Sequence, residues 1–172
     1  VLEATITPQD AMTKTLFVLP EKRFVQGDAR AAIDQAPHRI QGEQYVRGQE
    51  HFYLEGQICH CVPTEDRGVH IISSSQHPTE VQKLVAKVLA IEFNQVQVEV
   101  RRMGGGFGGK ESQAAALACT AAIFARRNQR PVKFRMPRQD DMVQTGKRHD
   151  FWNQYEVGFD DDGLIHGVTM DL

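Results

Sequence analysis

The sequence is short of cysteine, of net charge and of long apolar runs. Its three cysteines are odd in number and too few for a disulfide framework. The formal net charge is −2, so the composition gives no reason to expect a nucleic acid as a partner. The chain also lacks an apolar run near the roughly 20 residues of a membrane-spanning helix, so we expect no membrane partner. What remains, 172 residues, is enough for a domain with a sizeable core.

The two ends of the sequence also lack familiar signals. Residues 1–4 contain neither the basic nor the apolar part of a signal peptide, and the low cysteine content is typical of a reducing compartment. We therefore expect a cytoplasmic protein. The chain begins with Val1 and stops at Leu172 inside a predicted strand, which suggests a fragment of a longer polypeptide, truncated after residue 172.

The order of predicted elements indicates an α+β fold, with helices packed on a mixed sheet. Asp28 is the expected N-cap of a helix, and Pro37 is expected to end that helix. Pro78 suits the first position of another helix. The predicted helices cover 29–36, a stretch beginning at 78, and 114–124. The predicted strands cover 40–48, 57–62, 69–73, 96–100 and 132–136, followed by a hairpin of 151–159 and 164–172. Residues 1–20 show no clear period, and no linker is evident.

The stretch RRMGGGFGGKES, residues 101–112, has five glycines in six positions. Gly104, Gly106 and Gly109 match the spacing G-x-G-x-x-G of a dinucleotide-binding loop between a strand and a helix. A plain turn is the simpler alternative, but turns rarely need more than one or two glycines, since each costs backbone entropy. The excess suggests that the main chain approaches a ligand closely, with Phe107 packing the loop down.

Three features of the sequence weaken the dinucleotide interpretation. The preceding strand alternates and carries charges, whereas the first strand of a dinucleotide fold is almost continuously apolar. Glu111 is expected in the first turn of the following helix, where it would repel a pyrophosphate. The acid that binds ribose should follow by about 20 residues, yet Asp140 lies 36 residues after Gly104.

Several ordered motifs together resemble the molybdenum hydroxylases, in particular the xanthine dehydrogenase and xanthine oxidase family. They are the glycine stretch, GQEHFYLEGQ at 48–57, SSSQHPTEVQ at 73–82 and RHDFWNQYEVGFDDDGLI at 148–165. The resemblance covers most of the chain, and residues 1–42 match less well. It implies that residues 1–172 are part of the molybdopterin-binding domain of such an enzyme.

The resemblance implies roles for five residues. Gln76 would lie beside the molybdenum and hydrogen-bond one of its ligands, and a neutral amide suits that task. The backbone of Gly106, Phe107 and Gly108 would pass against the metal and the pyranopterin, with Phe107 next to the molybdenum. Glu111 would orient the substrate. Without the resemblance, Gln76 reads as a polar residue before a helix and Glu111 as an exposed carboxylate favoured by the helix dipole.

Glu111 is the residue that favours a purine substrate. The family's xanthine dehydrogenases resemble this sequence in having glutamate after G-G-K, whereas aldehyde oxidases usually carry an apolar residue there. We therefore expect part of a xanthine dehydrogenase, which hydroxylates hypoxanthine and xanthine to urate with water. The alternatives are an aldehyde oxidase-type hydroxylase, a non-catalytic domain that shares the fold and, less favoured, a dinucleotide-binding oxidoreductase.

The resemblance also implies parts that these residues do not provide. The catalytic glutamate and the arginine that orients the purine would lie beyond Leu172, so the isolated chain is expected to be inactive and to hold molybdenum–molybdopterin poorly. Three cysteines cannot hold two 2Fe–2S clusters. The clusters and FAD would therefore lie on other domains or subunits, and the parent enzyme would be oligomeric.

The sequence Cys59–His60–Cys61 suggests a metal site only superficially. On a strand, the two cysteines point to one face and His60 to the other, so three convergent ligands are not expected. Glu50 and Glu55, which flank an aromatic pair, are interpreted as structural. His51, beside one of the family motifs, lies close to the expected site without a role assigned to it.

Overall fold

A computed structural model describes residues 4–172 of the protein; the expectation that residues 1–4 lack a signal peptide falls mostly on residues 1–3, outside this range. The described chain forms two compact units, which we call the first and second units. The first unit combines the N-terminal stretch up to Gln49 with His149–Leu172, and the second unit is Glu50–Arg148. The middle of the chain therefore folds as an insertion between two halves of the first unit.

The helices and strands alternate irregularly along the chain. In order they are α1 (Pro8–Thr13), α2 (Ala29–Gln35), β1 (His38–Val46), β2 (Ile58–Pro63), β3 (Val69–Ser73), α3 (Pro78–Leu89), β4 (Val96–Glu99), α4 (Gln113–Asn128), β5 (Val132–Arg135), α5 (Arg138–Gln144), β6 (Phe151–Phe159) and β7 (Ile165–Asp171), with a 3₁₀ turn at Phe93–Gln95.

The first unit is an antiparallel sheet of three strands in the order β1–β6–β7, with α2 packed on it. Asp28 caps α2 by accepting a hydrogen bond from the amide of Ala31 at 3.0 Å. A Cβ atom at Gly158 would lie 2.8 Å from the backbone of Ile33, so a glycine is required where the helix crosses the strand. This close approach buries Ile33 against the sheet.

The second unit is a mixed sheet of four strands in the order β4–β3–β2–β5. Strands β3 and β4 are parallel and are joined by α3, as parallel strands require a crossover, while the other pairs are antiparallel. Helices α3 and α4 pack on the sheet. The faces of α4 and β2 that meet are lined with alanine and cysteine, small side chains that let the helix lie close to the strand.

The core of the second unit explains why these segments fold as they do. Val81 and Val85 recur at helical spacing on α3, and Val69 and Ile71 alternate on β3, so both elements present one apolar face. The buried apolar cluster is Cys59, Cys61, Val69, Ile71, Val81, Val85, Ala86, Val96, Ala115, Leu117, Ala118, Ala121, Ala122 and Ala125.

The predicted α+β class and mixed sheet with helices packed on it are confirmed, and the predicted helices and strands are present with ends shifted by a few residues. Two short helices escaped prediction. Helix α1 lies in the stretch without a clear period, although Thr7 caps it and Pro8 begins it. Helix α5 follows Pro137 and has a largely polar sequence, which gives little periodicity. Within residues 4–172, no helix combines the length and apolar character needed to cross a bilayer.

Candidate functional site

The glycine loop, residues 104–110, connects β4 to the N-cap of α4 at Ser112. Its backbone enters the left-handed region at Gly105, Phe107 and Gly108, where φ is +97°, +53° and +91°. Two of these positions have glycine, for which the conformation is unstrained, but Phe107 adopts it at a cost. The loop therefore has an irregular path that its own sequence would not hold without outside contacts.

The glycines of the loop make room for side chains of this same chain. A Cβ atom at Gly106 would lie 2.5 Å from Gln76 Oε1, and one at Gly109 would lie 2.6 Å from Cε1 of Tyr53. A Cβ atom at Gly104 would lie 2.7 Å from the Cβ of Glu55. The glycines therefore let protein side chains lie close to the main chain, and the expected approach to a ligand stays a prediction.

Gln76 holds the centre of the glycine loop through its side-chain oxygen. Its Oε1 accepts hydrogen bonds from the amides of Gly108 at 3.0 Å and Lys110 at 3.1 Å. Its own backbone amide donates to the Lys110 carbonyl at 2.9 Å. The side chain is exposed, and its Nε2 donates no hydrogen bond to the described residues. Gln76 therefore offers two N–H donors to solvent or a ligand, in a fixed orientation.

Lys110 is a fully buried cation at the end of the loop. Its Nζ donates to Ser74 Oγ at 2.7 Å and to Glu55 Oε2 at 3.1 Å, and lies 4.7 Å from the centre of the Tyr53 ring. Burial lowers the pKa of Lys110, and the neighbouring Glu55 carboxylate opposes that shift. The ammonium group is thus surrounded by a carboxylate, a hydroxyl and an aromatic face.

Glu55 receives hydrogen bonds from both ends of the loop. Its Oε2 accepts from the Gly104 amide at 2.9 Å as well as from Lys110 and Ser74. Burial alone would raise the pKa of Glu55, but these hydrogen bonds outweigh it and hold the pKa below its ordinary value. The carboxylate form is therefore part of the structure of the loop.

Behind the loop lies a second set of buried polar side chains. The Tyr53 hydroxyl donates to Asp141 at 2.7 Å, and Gln57 Nε2 donates to Tyr53 Oη at 2.8 Å and to the Gly109 carbonyl at 2.9 Å. Burial raises the pKa of Tyr53 to about 12. Arg138 lies 3.5 Å from Asp141 as an ion pair and donates to the Tyr53 carbonyl. Helix α5 is thereby tied to the glycine loop.

Two expectations about this loop are wrong. Phe107 does not pack the loop down, because its side chain is 67% exposed, and the buried polar residues around Lys110 hold the loop instead. Glu111 does not lie in the first turn of α4, because the helix begins at Gln113 after the N-cap Ser112. The Glu111 side chain is exposed and forms no hydrogen bond or ion pair with the described residues.

The structure brings Gln76 together with Gly106 and Gly108 as the resemblance implied, but it adds residues that the sequence did not indicate. Lys110 and Asp141 could not be predicted, since nothing in the sequence shows that a lysine or an aspartate will be buried. Glu55 is structural, as interpreted, and Glu50 pairs with Lys147 at 2.7 Å. The roles in cofactor and substrate binding stay predictions.

Cys59 and Cys61 point into the core and His60 to the opposite face of β2, as the strand alternation predicted. Burial raises the pKa of Cys59 to about 12 and that of Cys61 to about 11, so both remain thiols. Among residues 4–172, no cluster of three or more histidine, cysteine or acidic side chains could hold a metal ion.

Comparison with known proteins identifies the class. A family model described as "Molybdopterin cofactor-binding domain" matches residues 10–172. The chain therefore belongs to the molybdopterin cofactor-binding domain family, in its xanthine dehydrogenase and aldehyde oxidase branch, as the motifs predicted.

The relatives in this branch have two kinds of name at equal similarity. Aldehyde oxidase 3 of Rattus norvegicus is 40% identical over 97% of this chain, and xanthine dehydrogenase of Dictyostelium discoideum is 40% identical over 99%. Xanthine dehydrogenase/oxidase of Mus musculus is 39% identical over 98%. The chain spans 13% of the length of each of these relatives. Overall identity therefore supports the branch and does not separate xanthine from aldehyde as the substrate.

A solved structure supports the fold. The aldehyde oxidoreductase of Desulfovibrio gigas matches with a TM-score of 0.71 and 25% identity, over 84% of this chain and 16% of that one. The α+β assignment is thus confirmed independently of the motifs.

The geometry of the glycine loop fits a molybdopterin cofactor. The free donors of the loop and of Gln76 are Gln76 Nε2 and the backbone amides of Gly105, Gly106 and Phe107, which make no hydrogen bond within the described residues. A cofactor that carries its metal on its own ligands needs such donors rather than ligating side chains. The residues present are of this kind.

Proposed function

We propose that the chain forms the molybdenum-facing wall of a xanthine dehydrogenase-type hydroxylase, which converts hypoxanthine and xanthine to urate with water. One observation carries the proposal: Gln76 has its oxygen occupied by the glycine loop and its two N–H donors free. Because the chain spans 13% of its relatives' length, the activity belongs to the larger enzyme of which these residues form one part.

Each residue of the wall has a limited task in this proposal. Molybdopterin, when bound, supplies the oxygen transfer and takes up the electrons. Gln76 Nε2 donates a hydrogen bond to a ligand of the metal, and the amides of Gly106 and Phe107 face the cofactor beside Gly108. Gly106 leaves space for the Gln76 side chain against the loop, and this contact sets the position of the Gln76 donors.

Glu111 is the residue that supports a purine as the substrate in this proposal. It follows Lys110 directly, its side chain is exposed, and no side chain of the described residues competes for it. A carboxyl group there can accept a hydrogen bond from a purine N–H or, when protonated, donate one to a ring nitrogen or carbonyl. An aldehyde offers no such set of partners. The aldehyde oxidases among the relatives favour the second candidate, an aldehyde-oxidising hydroxylase.

The remaining parts of the enzyme lie outside this chain in the proposal. The catalytic base and the purine-orienting arginine come from other sequence, and 2Fe–2S clusters and FAD on other domains or subunits carry the electrons away. We place the enzyme in the cytoplasm, as an oligomer, and expect the isolated chain to be inactive.

Glu111 is tested by substitution in an intact hydroxylase that contains this chain. Glu111→Val should lower kcat/KM for xanthine by about 10- to 100-fold, the effect of losing hydrogen bonds worth about 1–3 kcal/mol. Activity toward an aromatic aldehyde should fall much less or rise. The control is Glu65→Gln, which changes an exposed carboxylate in the turn after β2. Equal losses for xanthine and aldehyde would contradict the assignment of Glu111 to purine binding.

Gln76 is tested by a substitution that separates its two functions. Gln76→Glu keeps an oxygen for the amides of Gly108 and Lys110 but removes both N–H donors. We expect the loop to keep its structure while turnover falls for every substrate, measured with the molybdenum content of each preparation. Turnover equal to that of the unchanged enzyme at equal molybdenum content would exclude a role for the free amide donors.

A further inference from the structure

Glu55 connects the two ends of the glycine loop. Its Oε2 accepts from the first residue of the loop, Gly104, at 2.9 Å and from the last, Lys110, at 3.1 Å. Its backbone amide also donates to the Gly104 carbonyl at 3.1 Å. We infer that Glu55 and Lys110 form an ionic clamp that fixes the glycine loop. Through the loop, the clamp also fixes the side-chain amide group of Gln76, whose Nε2 donors are free. They are thus positioning residues for the proposed function, on which this inference rests.

The clamp reaches Gln76 through the main chain of Lys110. The Lys110 amide donates to Gln76 Oε1, and the Lys110 carbonyl accepts from the Gln76 amide at 2.9 Å. Ser75 Oγ donates to the same carbonyl at 3.3 Å. The side chain of Lys110 is held in the clamp, and its backbone amide and carbonyl both hydrogen-bond Gln76. Lys110 therefore also determines where the Gln76 side chain points.

The surroundings of Lys110 suit a charged group and no apolar one. The three N–H donors of the ammonium face Ser74 Oγ, Glu55 Oε2 and the face of the Tyr53 ring, and the side chain has no exposed surface. When one member of a buried ion pair is removed, the other is left without its partner, whereas removing both can be tolerated. The clamp therefore predicts that two single substitutions do more harm than their combination.

The test measures amide hydrogen exchange in the 172-residue protein by NMR. The amides of Gly108 and Lys110 report on the clamp, because Gln76 Oε1 accepts from both. We expect Lys110→Met to speed their exchange by about tenfold or more, as local opening becomes easier, without changing exchange in β3. Adding Glu55→Met to Lys110→Met should restore part of the protection. Lys83→Met, at an exposed position of α3, is the matched control and should change neither amide.

A milder variant keeps the test decisive if Lys110→Met does not fold. Ser74→Ala removes one acceptor of the ammonium and leaves both charges in place, so exchange at Gly108 and Lys110 should rise by a smaller factor. A purely structural role for the pair would instead speed exchange throughout the second unit. Val69→Ala, which weakens the core away from the loop, shows what that general loosening looks like. Unchanged loop exchange in folded Lys110→Met would overturn the clamp.

The exchange test stands apart from the test of the proposed function, since it needs no cofactor and no substrate. If the clamp holds and Glu111→Val leaves xanthine turnover unchanged, only the substrate proposal fails. If Glu111→Val behaves as expected and loop exchange does not respond to Lys110→Met, only the clamp fails. In the intact hydroxylase, Ser74→Ala should lower kcat with little change in KM, because Gln76 does not bind the substrate.

Discussion

The two units of the chain are stabilised in different ways. Among the described residues, Ile33 is the one buried apolar side chain of the first unit, whereas the second unit holds all the others. The first unit has its sheet hydrogen bonds and exposed ion pairs, such as Arg30 with Asp34 at 3.2 Å. Ion pairs of this kind contribute about 0–1 kcal/mol. The second unit, with its larger core, can also accommodate a costly set of buried polar groups beside it.

The glycine loop belongs to the unit that can support it. Lys110, Asp141 and Gln57 are buried polar groups, and each is costly unless its hydrogen bonds are made. The apolar core between β2, β3 and α4 offsets that cost nearby. In the first unit, by contrast, Ile40, Phe151 and Ile165 remain about half exposed. A site that depends on fixed polar geometry is therefore found where the core is best packed.

The largest contrast should come from isoleucine truncation in the two sheets. Ile71→Ala, on β3 of the second unit, removes a fully buried side chain and should lower the free energy of unfolding by about 2–5 kcal/mol. Ile40→Ala, on β1 of the first unit, removes one that is 52% exposed and should cost less than about 1 kcal/mol. Denaturant unfolding followed by circular dichroism measures both, and Trp152 fluorescence reports on the first unit. Equal costs would mean that the first unit has a core of its own.

A smaller contrast should come from the two tyrosines that donate to aspartates. Tyr53→Phe removes one buried hydrogen bond from Asp141 and one from Gln57, and should cost about 1–3 kcal/mol. Tyr45→Phe removes an exposed bond to Asp150 in the first unit, where water can replace it, and should cost less than about 1 kcal/mol. The free energy of unfolding of each variant is compared with that of the unchanged protein. A costly Tyr45→Phe would show that exposure is a poor guide in the first unit.

Acid should weaken the second unit through Glu55. Its pKa is lowered in the folded state, so the ionised carboxylate stabilises the fold above the ordinary value of 4.5, and this contribution is lost as the pH falls through the folded pKa. Glu55→Gln should therefore show a smaller loss of stability between neutral pH and about pH 3 than the unchanged protein. Glu65→Gln, at an exposed turn, is the control. The same acid dependence in Glu55→Gln and the unchanged protein would contradict the role of the carboxylate.

The smallest perturbation is a thiol reagent at neutral pH. Cys59 and Cys61 are buried thiols with raised pKa values, so their modification should wait for opening of the second unit. A cysteine introduced by Val168→Cys, at a 41% exposed position of the first unit, should react at once. Mass spectrometry after brief labelling distinguishes the sites. Rapid modification of Cys59 in the folded protein would contradict the tight packing of α4 on β2.

The elements that could be predicted from the sequence are those with strong local signals. Asp28 and Pro78 predict the starts of α2 and α3, and the alternation of apolar and polar residues predicts β3 and β4. Helices α1 and α5 are short and lack an apolar period, so local signals were too weak. The division into two units could not be predicted from the sequence either, because the pairing of β1 with β6 joins residues more than 100 positions apart.

The candidate site divides in the same way. The glycines and Gln76 were found because they form a motif, and a motif is a local pattern. The clamp of Glu55 and Lys110 was not found, since it depends on a contact across 55 positions of sequence and on the burial of a lysine. The expected inward packing of Phe107 is wrong: apolar side chains usually pack inward, whereas Phe107 is exposed and its backbone is left-handed, and the sequence shows neither feature.

The interrupted first unit has a consequence for synthesis of the chain. Strand β1 is made early, but its partner β6 begins at Phe151, more than 100 residues later. At roughly 5–20 residues per second, β1 waits on the order of 5–20 s with its hydrogen-bonding edge unpaired. The segment Glu50–Arg148 can complete its own core during that interval. A nascent chain that stalls before Phe151 is made would expose the unpaired edge of β1 to neighbouring chains. We therefore expect aggregation to be most frequent when the ribosome pauses in this interval.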